Sequence, residues 1–307
     1  MILLCGIPSE PPLAMVRRNI EDAGDDCVVL NQRDIADIDL DIRVAAGRVT
    51  GELTVRGQGY PLEQFDGVYL RLMDDQFLPE IRSQAPDSPT RAHSRRVHEA
   101  LLAWTEIAPA RVVNRPAAMG SNGSKPYQAQ LIRHNGFRVP ETLITNDPAL
   151  VGEFRNRHGR IVYKSMSGVR SIVRLLDDQA AAELDAIRWC PVQFQRYVEG
   201  MDVRVHTVAA QAFATSISSD APDYRYAERD TGRAATLKSL DLPDDIAARC
   251  TALAADLGLA VSGIDLRRTP EGDYICFEVN PCPVFSFYEA ATGQPISAAI
   301  AHHLAGG

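Results

Sequence analysis

The sequence predicts an α/β chain, with an open parallel sheet at its N-terminal end and a strand-rich, α+β region toward its C-terminus. Three observations carry this. The chain opens with an apolar run at 1–7, then Leu13, Val16 and Ile20 at helical spacing stopped by Gly24, then a second apolar run at 27–30. A β-α-β opening of this kind builds a parallel sheet. From Pro191 short strands dominate, at 192–198, 203–210 and 212–217. An amphipathic helix then spans 244–257, with Ile246, Cys250, Leu253 and Leu257 on one face and Gly258 as its stop.

Between these landmarks the elements follow in order. Residues 42–56 alternate around Gly47 and Gly51 and read as a hairpin, with Gly57-Gln58-Gly59 as a turn. A strand at 65–72 follows. Residues 82–96 are polar, proline-interrupted and basic through Arg82, Arg91, Arg95 and Arg96, and read as an exposed loop running into a helix at about 93–106. A strand at 111–114 closes the first region. A helix runs from Lys125 to Asn135 with Gly136 as its cap, and Pro140 opens the next piece. There a helix ends at 154–158, a strand spans 160–164, small residues turn at 165–171, a strand returns at 172–175, and 180–187 is helical. Strands at 261–266 and 274–279 are joined by the turn Pro270-Glu271-Gly272-Asp273.

At 307 residues the chain has room for about two domains of roughly 150 residues. Hydrophobic residues at 45% and charged residues at 23% exclude disorder as its main state. A net charge of −8 and a pI near 5.4 leave no basic surplus for general nucleic-acid binding. No apolar run approaches the roughly 18 residues a membrane span needs. The six cysteines form no CxxC pair and read as reduced thiols, and the opening Met1-Ile2-Leu3-Leu4-Cys5-Gly6 reads as a strand and not a signal peptide. Both point to the cytoplasm. There is no Walker sequence, GxGxxG, GxSxG or HExxH, and the seven histidines have no ligand spacing.

The chemistry concentrates in Gly263-Ile264-Asp265-Leu266 and Cys276-Phe277-Glu278-Val279-Asn280-Pro281. Glu278 and Asn280 are two apart on a strand and share a face. The turn folds the preceding strand back, so Asp265 can join them. Two carboxylates and an amide oxygen make a hard-oxygen site suited to Mg²⁺ with phosphate oxygens completing the shell, the alternative being an acidic hairpin facing solvent. Lys125 opens a helix. Lys164 ends a strand before the small-residue turn, where backbone N–H groups can approach phosphate; a solvated surface charge is the alternative for each lysine. Gln193-Phe194-Gln195-Arg196-Tyr197-Val198 leads through Glu199-Gly200 to Asp202-Val203-Arg204.

Taken in this order and spacing, these residues resemble the ATP-grasp superfamily of ATP-dependent carboxylate ligases, most closely the RimK-type glutamate ligases and the microviridin (graspetide) peptide ligases. The resemblance runs over nearly the whole chain and includes Phe65-Asp66-Gly67-Val68-Tyr69-Leu70-Arg71, the stretch 140–148, Asp223-Tyr224-Arg225 and Thr292-Gly293-Gln294-Pro295-Ile296-Ser297. It implies an ATP-grasp fold: an N-terminal pre-ATP-grasp domain at 1–114 and an ATP-grasp domain at 115–307, divided into a lid at about 140–190 and an ATP- and metal-binding core at about 191–307. It further implies that Lys125 and Lys164 hold the α- and β-phosphates of ATP, with the 165–171 loop, Ser167 and Gly168 included, over the β/γ-phosphates. Backbone around Arg196, Tyr197 and Val198 would meet the adenine edge, with Gln195 at its amino group and Asp202 on the ribose. Asp265, Glu278 and Asn280 would bind two Mg²⁺, for which Mn²⁺ is a substitute, and Arg204 and Arg225 would be catalytic. The sequence departs from the pattern in three places: Arg196 stands where this branch often has Glu, the 165–171 loop has one glycine, and Pro281-Cys282-Pro283-Val284-Phe285 replaces a segment with glycine, glutamine and tryptophan.

The activity implied is ligation of a carboxylate, from an amino acid or a peptide, to an amine through an acyl phosphate, with release of ADP. A graspetide-type macrocyclase forming side-chain esters or amides is the special case, and a catalytically silent ATP-binding module is the alternative of another class. Small-molecule or peptide substrates are the expected partners, with no nucleic acid or membrane, and a homodimer is one assembly open to the chain. Cys282 reads as a buried structural thiol, since acyl-phosphate chemistry needs no protein nucleophile.

Overall fold

A computed structural model describes residues 1–166, 172–219 and 232–307. The N-terminal elements are β1 (Ile2–Gly6), α1 (Pro11–Asp22), β2 (Cys27–Asn31), the antiparallel hairpin sheet β3 (Ile38–Ala45), β4 (Arg48–Val55) and β5 (Gln58–Pro61), then β6 (Gly67–Leu70), α2 (Pro79–Arg82), α3 (Pro89–Ile107) and β7 (Arg111–Val113). Strands β2-β1-β6-β7 form one parallel sheet in that order. Every residue of β1 is buried, because helices cover both faces. On one side Val97, Leu101 and Trp104 of α3 pack on Leu3, Cys5, Val68 and Leu70. On the other side Leu13, Val16 and Ile20 of α1 pack with Ile2, Leu4 and Tyr69.

The basic segment is helical from Pro89, four residues ahead of the sequence expectation. Ser88 caps the helix by accepting from the Arg91 N–H at 3.2 Å, and proline is suited to the first turn because its missing N–H needs no partner there. Arg91 therefore lies on the helix and not in the loop before it, with Arg95 and Arg96 further along the same helix.

The middle elements are α4 (Pro116–Met119), α5 (Lys125–His134), β8 (Thr142–Thr145), α6 (Pro148–His158), β9 (Ile161–Ser165), β10 (Arg174–Leu175), α7 (Asp178–Ala182) and β11 (Val192–Arg196). The sequence reading passed over β8. These strands form an antiparallel sheet in the order β10-β9-β11-β8, whose apolar face buries Phe194 and Ile161 against Val151 of α6.

The last sheet is antiparallel in the order β14-β13-β12-β15-β16: β12 (Met201–Val208), β13 (Gln211–Ser218), β14 (Thr236–Leu240), β15 (Val261–Arg268) and β16 (Tyr274–Asn280). One face buries Val203, Val205, Ile264, Leu266 and Val279 under Ile246, Cys250 and Leu253 of α8 (Asp244–Asp256). The chain ends in α9 (Ser286–Thr292) and α10 (Ile296–Ala305). Helix α10 returns to the N-terminal sheet, with Ile300 and Leu304 buried beside Ile2 and Leu4. Gly67 permits this return: a Cβ there would sit 2.4 Å from the Leu304 carbonyl oxygen. No described helix is long and apolar enough to cross a membrane, and all six cysteines are free thiols.

Candidate active site

The polar face of the five-stranded sheet is organised in transverse rows. Arg204 lies opposite Asp265, and Asp265 opposite Glu278. Two residues along in one direction His206, Gly263 and Asn280 form the next row, and in the other direction Asp202 lies opposite Arg267. This placement depends on a register shift in β16. Asp265 pairs with Glu278, but Leu266 pairs with Cys276, so Phe277 is the extra residue of a β-bulge. The bulge lets Cys276 and Val279 both enter the core while Glu278 turns to the polar face.

Two lysines from other elements converge on Glu278. Lys125 Nζ, from the first turn of α5, is 3.0 Å from Glu278 Oε2, and Lys164 Nζ, from β9, is 3.4 Å from the same oxygen. Burial alone would raise the Glu278 pKa, but Lys164 and Lys125 outweigh it and hold the carboxyl at about 2. Glu278 is therefore ionised at neutral pH. Arg204 Nη1 donates to Asp265 Oδ1 at 2.6 Å. Its guanidinium lies 5.9 Å from the Tyr288 ring and over Gly263, where a Cβ would come within 2.1 Å of Nη2. Beside it His206 is fully buried, with its ring centroid 4.8 Å from that of Tyr288. Burial first, and the Arg204 charge second, push its pKa well below the ordinary value, so the imidazole is neutral.

The residues expected at the adenine edge sit where β11 leads into β12. Gln195 Nε2 donates to Thr142 Oγ1 at 3.0 Å. The Arg196 N–H donates to the Glu141 carbonyl at 2.9 Å, and its guanidinium pairs with the Glu141 carboxylate at 2.7 Å. Arg196 alternates with Gln195, so its side chain belongs to the other face of the sheet. The Tyr197 ring lies 4.1 Å from the Arg160 guanidinium. The Val198 carbonyl accepts from Arg267 Nη1 at 2.8 Å, and Arg267 also donates to Asp202 Oδ1 at 2.6 and 2.8 Å. Asn280 Oδ1 accepts from the Cys282 N–H at 3.0 Å. Ser167, Gly168 and Arg225 lie outside the described residues. Cys282 is exposed as a residue, since Pro281 and Pro283 turn inward on either side of it, but its Sγ accepts from Arg71 Nη1 at 3.4 Å and burial pushes the thiol pKa up, so the expectation of a buried thiol holds for the sulfur and not for the residue.

Four residues that the sequence reading did not single out build the site. Arg267 ties the end of β11 to Asp202; its signal was the period of two from Asp265. Arg71 is gripped by Glu10 at 2.9 and 2.5 Å and donates to the Pro283 carbonyl at 3.2 Å, joining the parallel sheet to the 281–285 segment. Asn114 donates to the carbonyls of Val261 and Pro281, both at 2.6 Å, and accepts from the Val261 N–H. Gln128 does for β16 what another strand would: Nε2 donates to the Val279 carbonyl at 2.8 Å and Oε1 accepts from the Val279 N–H at 3.0 Å. A glutamine one turn before Ile132 on the buried face of α5 was its only trace in the sequence. Gln128→Leu strands both Val279 groups in the interior and is expected to lower stability by about 2–4 kcal/mol in urea unfolding at neutral pH. A loss under about 0.5 kcal/mol would show that water satisfies them instead.

A metal has a fitting donor set here. Asp265, Glu278 and Asn280 offer only hard oxygens, Glu278 is ionised, and the two ammonium groups on its oxygen show that the position stabilises positive charge. Asn280, on the same face as Glu278, would supply the third oxygen, since among the described residues no three His, Cys, Asp or Glu side chains gather.

No protein-family model matches the chain. It is similar to a probable alpha-L-glutamate ligase of Pseudoalteromonas atlantica, at 26% identity over 80% of this chain and 77% of that protein. It is also similar to one of Shewanella amazonensis, at 28% over 66% and 69%. Among solved structures, the Chryseobacterium gregarium RiPP-associated ATP-grasp ligase, in complex with ADP and a leader and core peptide, superposes with a TM-score of 0.84 at 22% identity, over 99% of this chain and 96% of that one. The macrocyclase MdnC of Microcystis aeruginosa, bound with precursor peptide MdnA, gives 0.81 at 23% over the full length of both. The ATP-grasp ligase PsnB, complexed with minimal precursor, Mg and ADP, gives 0.79 at 25% over 99% and 96%.

Proposed function

From its place among the ATP-grasp ligases, we infer that the chain is an ADP-forming carboxylate–amine ligase whose site is the Lys125–Lys164–Glu278 and Arg204–Asp265 constellation. It has the ATP-grasp fold, and its cofactors are ATP and Mg²⁺. In this reading 1–114 is the pre-ATP-grasp domain and 115–307 the ATP-grasp domain, with residues at about 140–190 closing as a lid over the core at about 191–307. The observation that carries the site is the convergence of two lysines, from separate elements, on one ionised carboxylate. Their combined charge with Glu278 is +1, which favours an incoming phosphate, and Lys125 and Lys164 can turn from Glu278 to phosphate oxygens.

Asp265, Glu278 and Asn280 would hold the metal ions, which neutralise charge on the β- and γ-phosphates when bound. Arg204 lies across the sheet at hydrogen-bond distance from Asp265, where its guanidinium stabilises charge on the transferred phosphoryl group or acyl phosphate. Gly263 and His206 position it. Arg267 holds Asp202 toward the ribose and fixes the strand end that carries the adenine edge. The reaction is attack of a substrate carboxylate oxygen on the γ-phosphorus with cleavage of the β–γ bridge and departure of ADP. The amine nitrogen then displaces phosphate from the acyl carbon and loses a proton. Adenylate-forming ligases cut elsewhere and release AMP, so the nucleotide product separates the two routes. ATP incubated with Mg²⁺ and panels of amino acids and peptides is expected to yield ADP and phosphate in step with amide formation, followed by chromatography. AMP as the product of a productive reaction would refute this reading.

A second reading, a graspetide-type macrocyclase acting on a peptide, is favoured by the end-to-end superposition on peptide-bound ligases. Each ester or amide closed within a peptide removes one water, which mass spectrometry of the peptide pool would detect.

A further inference from the structure

The sheet β10-β9-β11-β8 has one apolar face and one polar face. Phe194 and Tyr163 lie in its apolar cluster. Gln193 and Gln195 alternate with Phe194 and so belong to the opposite face. Gln193 lies directly opposite Lys164 in the β9–β11 register, and Gln195 opposite Thr142 in the β8–β11 register. Lys164 reaches Glu278 from this face, so both glutamines share the face from which that lysine extends.

The orientation of the Gln195 amide follows from its neighbours. The Thr142 hydroxyl spends its one proton on the Pro140 carbonyl at 3.0 Å. Its oxygen can then only accept, and it faces Gln195 at 3.0 Å. Gln195 must present its NH₂ to Thr142, which turns its carbonyl oxygen away from Thr142 as an acceptor. Gln193 is 2% exposed, and its Oε1 is buried without a hydrogen-bond partner among the described residues. A buried amide carbonyl left unmatched is costly, and an aliphatic side chain would fill the position without that cost. The buried end of this amide therefore points to a partner that arrives with a ligand, and with no bond among the described residues holding it the amide can turn its carbonyl to a donor there.

We propose that Gln193 is a nucleobase-specificity residue. Its carbonyl accepts a hydrogen bond from the exocyclic amino group of adenine, beside Gln195, whose polarity Thr142 sets. This deepens the ATP-ligase reading and rests on it. The two carbonyls together form an acceptor surface. Adenine offers an N–H donor at its six-position, whereas guanine offers a carbonyl there, which would set lone pairs against lone pairs.

The test compares wild type, Gln193→Leu and Thr142→Val in the full chain with Mg²⁺ and either ATP or GTP. Thermal melting is read with and without nucleotide, and nucleoside diphosphate release is followed with the productive carboxylate. Gln193→Leu removes an unmatched buried polar group, so the nucleotide-free chain should melt at the same temperature or higher. Its ATP-induced stabilisation should shrink, KM for ATP should rise roughly ten-fold, and the preference for ATP over GTP should fall with it. Thr142→Val frees the Gln195 amide to turn over and should also erode that preference. A Gln193→Leu chain that melts lower yet keeps wild-type ATP preference would make Gln193 structural and overturn the proposal. If Gln193→Leu gives no cooperative melt, Thr142→Val decides: an unchanged ATP-to-GTP ratio overturns the acceptor surface. Wild type without any stabilisation by Mg·ATP would instead refute the ATP-ligase reading itself.

Discussion

Glu278→Gln is expected to abolish ATP turnover, with a fall of roughly 10²–10³-fold or more, while the chain still folds at neutral pH. The substitution keeps shape and removes charge. It leaves Lys125 and Lys164 without the carboxylate that now lies 3.0 and 3.4 Å from them, and takes one of two anionic oxygen donors from the proposed metal set. The same residue makes stability depend on acid. The folded-state pKa of Glu278 is depressed from 4.5 to about 2, because its two lysines outweigh burial. Its contribution is thus fully present above the unfolded value and is lost as pH falls through the folded one, between about 4.5 and 2. That contribution is roughly 3 kcal/mol at neutral pH. Denaturant unfolding at pH 7 and pH 3 should show wild type losing part of this margin, while Glu278→Gln starts lower and does not lose that share. Wild-type turnover in the variant would remove Glu278 from the metal set, and an identical acid loss in both proteins would disprove the ion-pair argument.

Gly263→Ala carries the second large effect, through space alone. The added Cβ would lie 2.1 Å from Arg204 Nη2, 2.6 Å from its Cζ and 2.8 Å from the Pro283 Cβ. The guanidinium is the end of a flexible side chain and yields first, and the Pro283 ring, 2.8 Å from the new Cβ, must shift with it. The guanidinium then leaves Asp265, now 2.6 Å away, and the Tyr288 ring. The backbone of β15 needs no positive φ at this glycine, so the strand itself is unstrained. Turnover should fall roughly 10²-fold, the scale of an ångström-level misplacement. Mg·ATP affinity should change little, because Lys125 and Lys164 are untouched. Calorimetry and steady-state kinetics separate the two quantities. A variant with wild-type turnover would show that Arg204 need not lie over Gly263.

Much of the site was legible locally. Period-two alternation placed Glu278 and Asn280 on one face, and the 270–273 turn folded the strand of Asp265 beside them, as the pairing of Asp265 with Glu278 confirms. The helix at Asp244–Asp256 and the β-α-β opening followed from apolar spacing and their glycine stops. The late start given to α3 was a misreading of local chemistry. Ser88 followed by Pro89 is a helix-start signal, and the surrounding prolines and charges made the segment look like a loop.

What the sequence by itself determined is whatever depends on neighbours a few residues away: which side chains share a face, where helices start and stop, and which oxygens stand together on one hairpin. Only the tertiary structure decided what meets across the chain. Lys164 reaches Glu278 over 114 residues, Gln128 grips Val279 over 151, and Arg71 reaches Pro283 over 212. Those partners are chosen by sheet order and helix packing, and no local spacing encodes them. The bulge at Phe277 belongs with them, because a strand's alternation can be broken only where a neighbouring strand and a packed core make the break favourable. So does the close approach of Arg204 to Gly263, which exists because β12 sets Arg204 one row away on the adjacent strand.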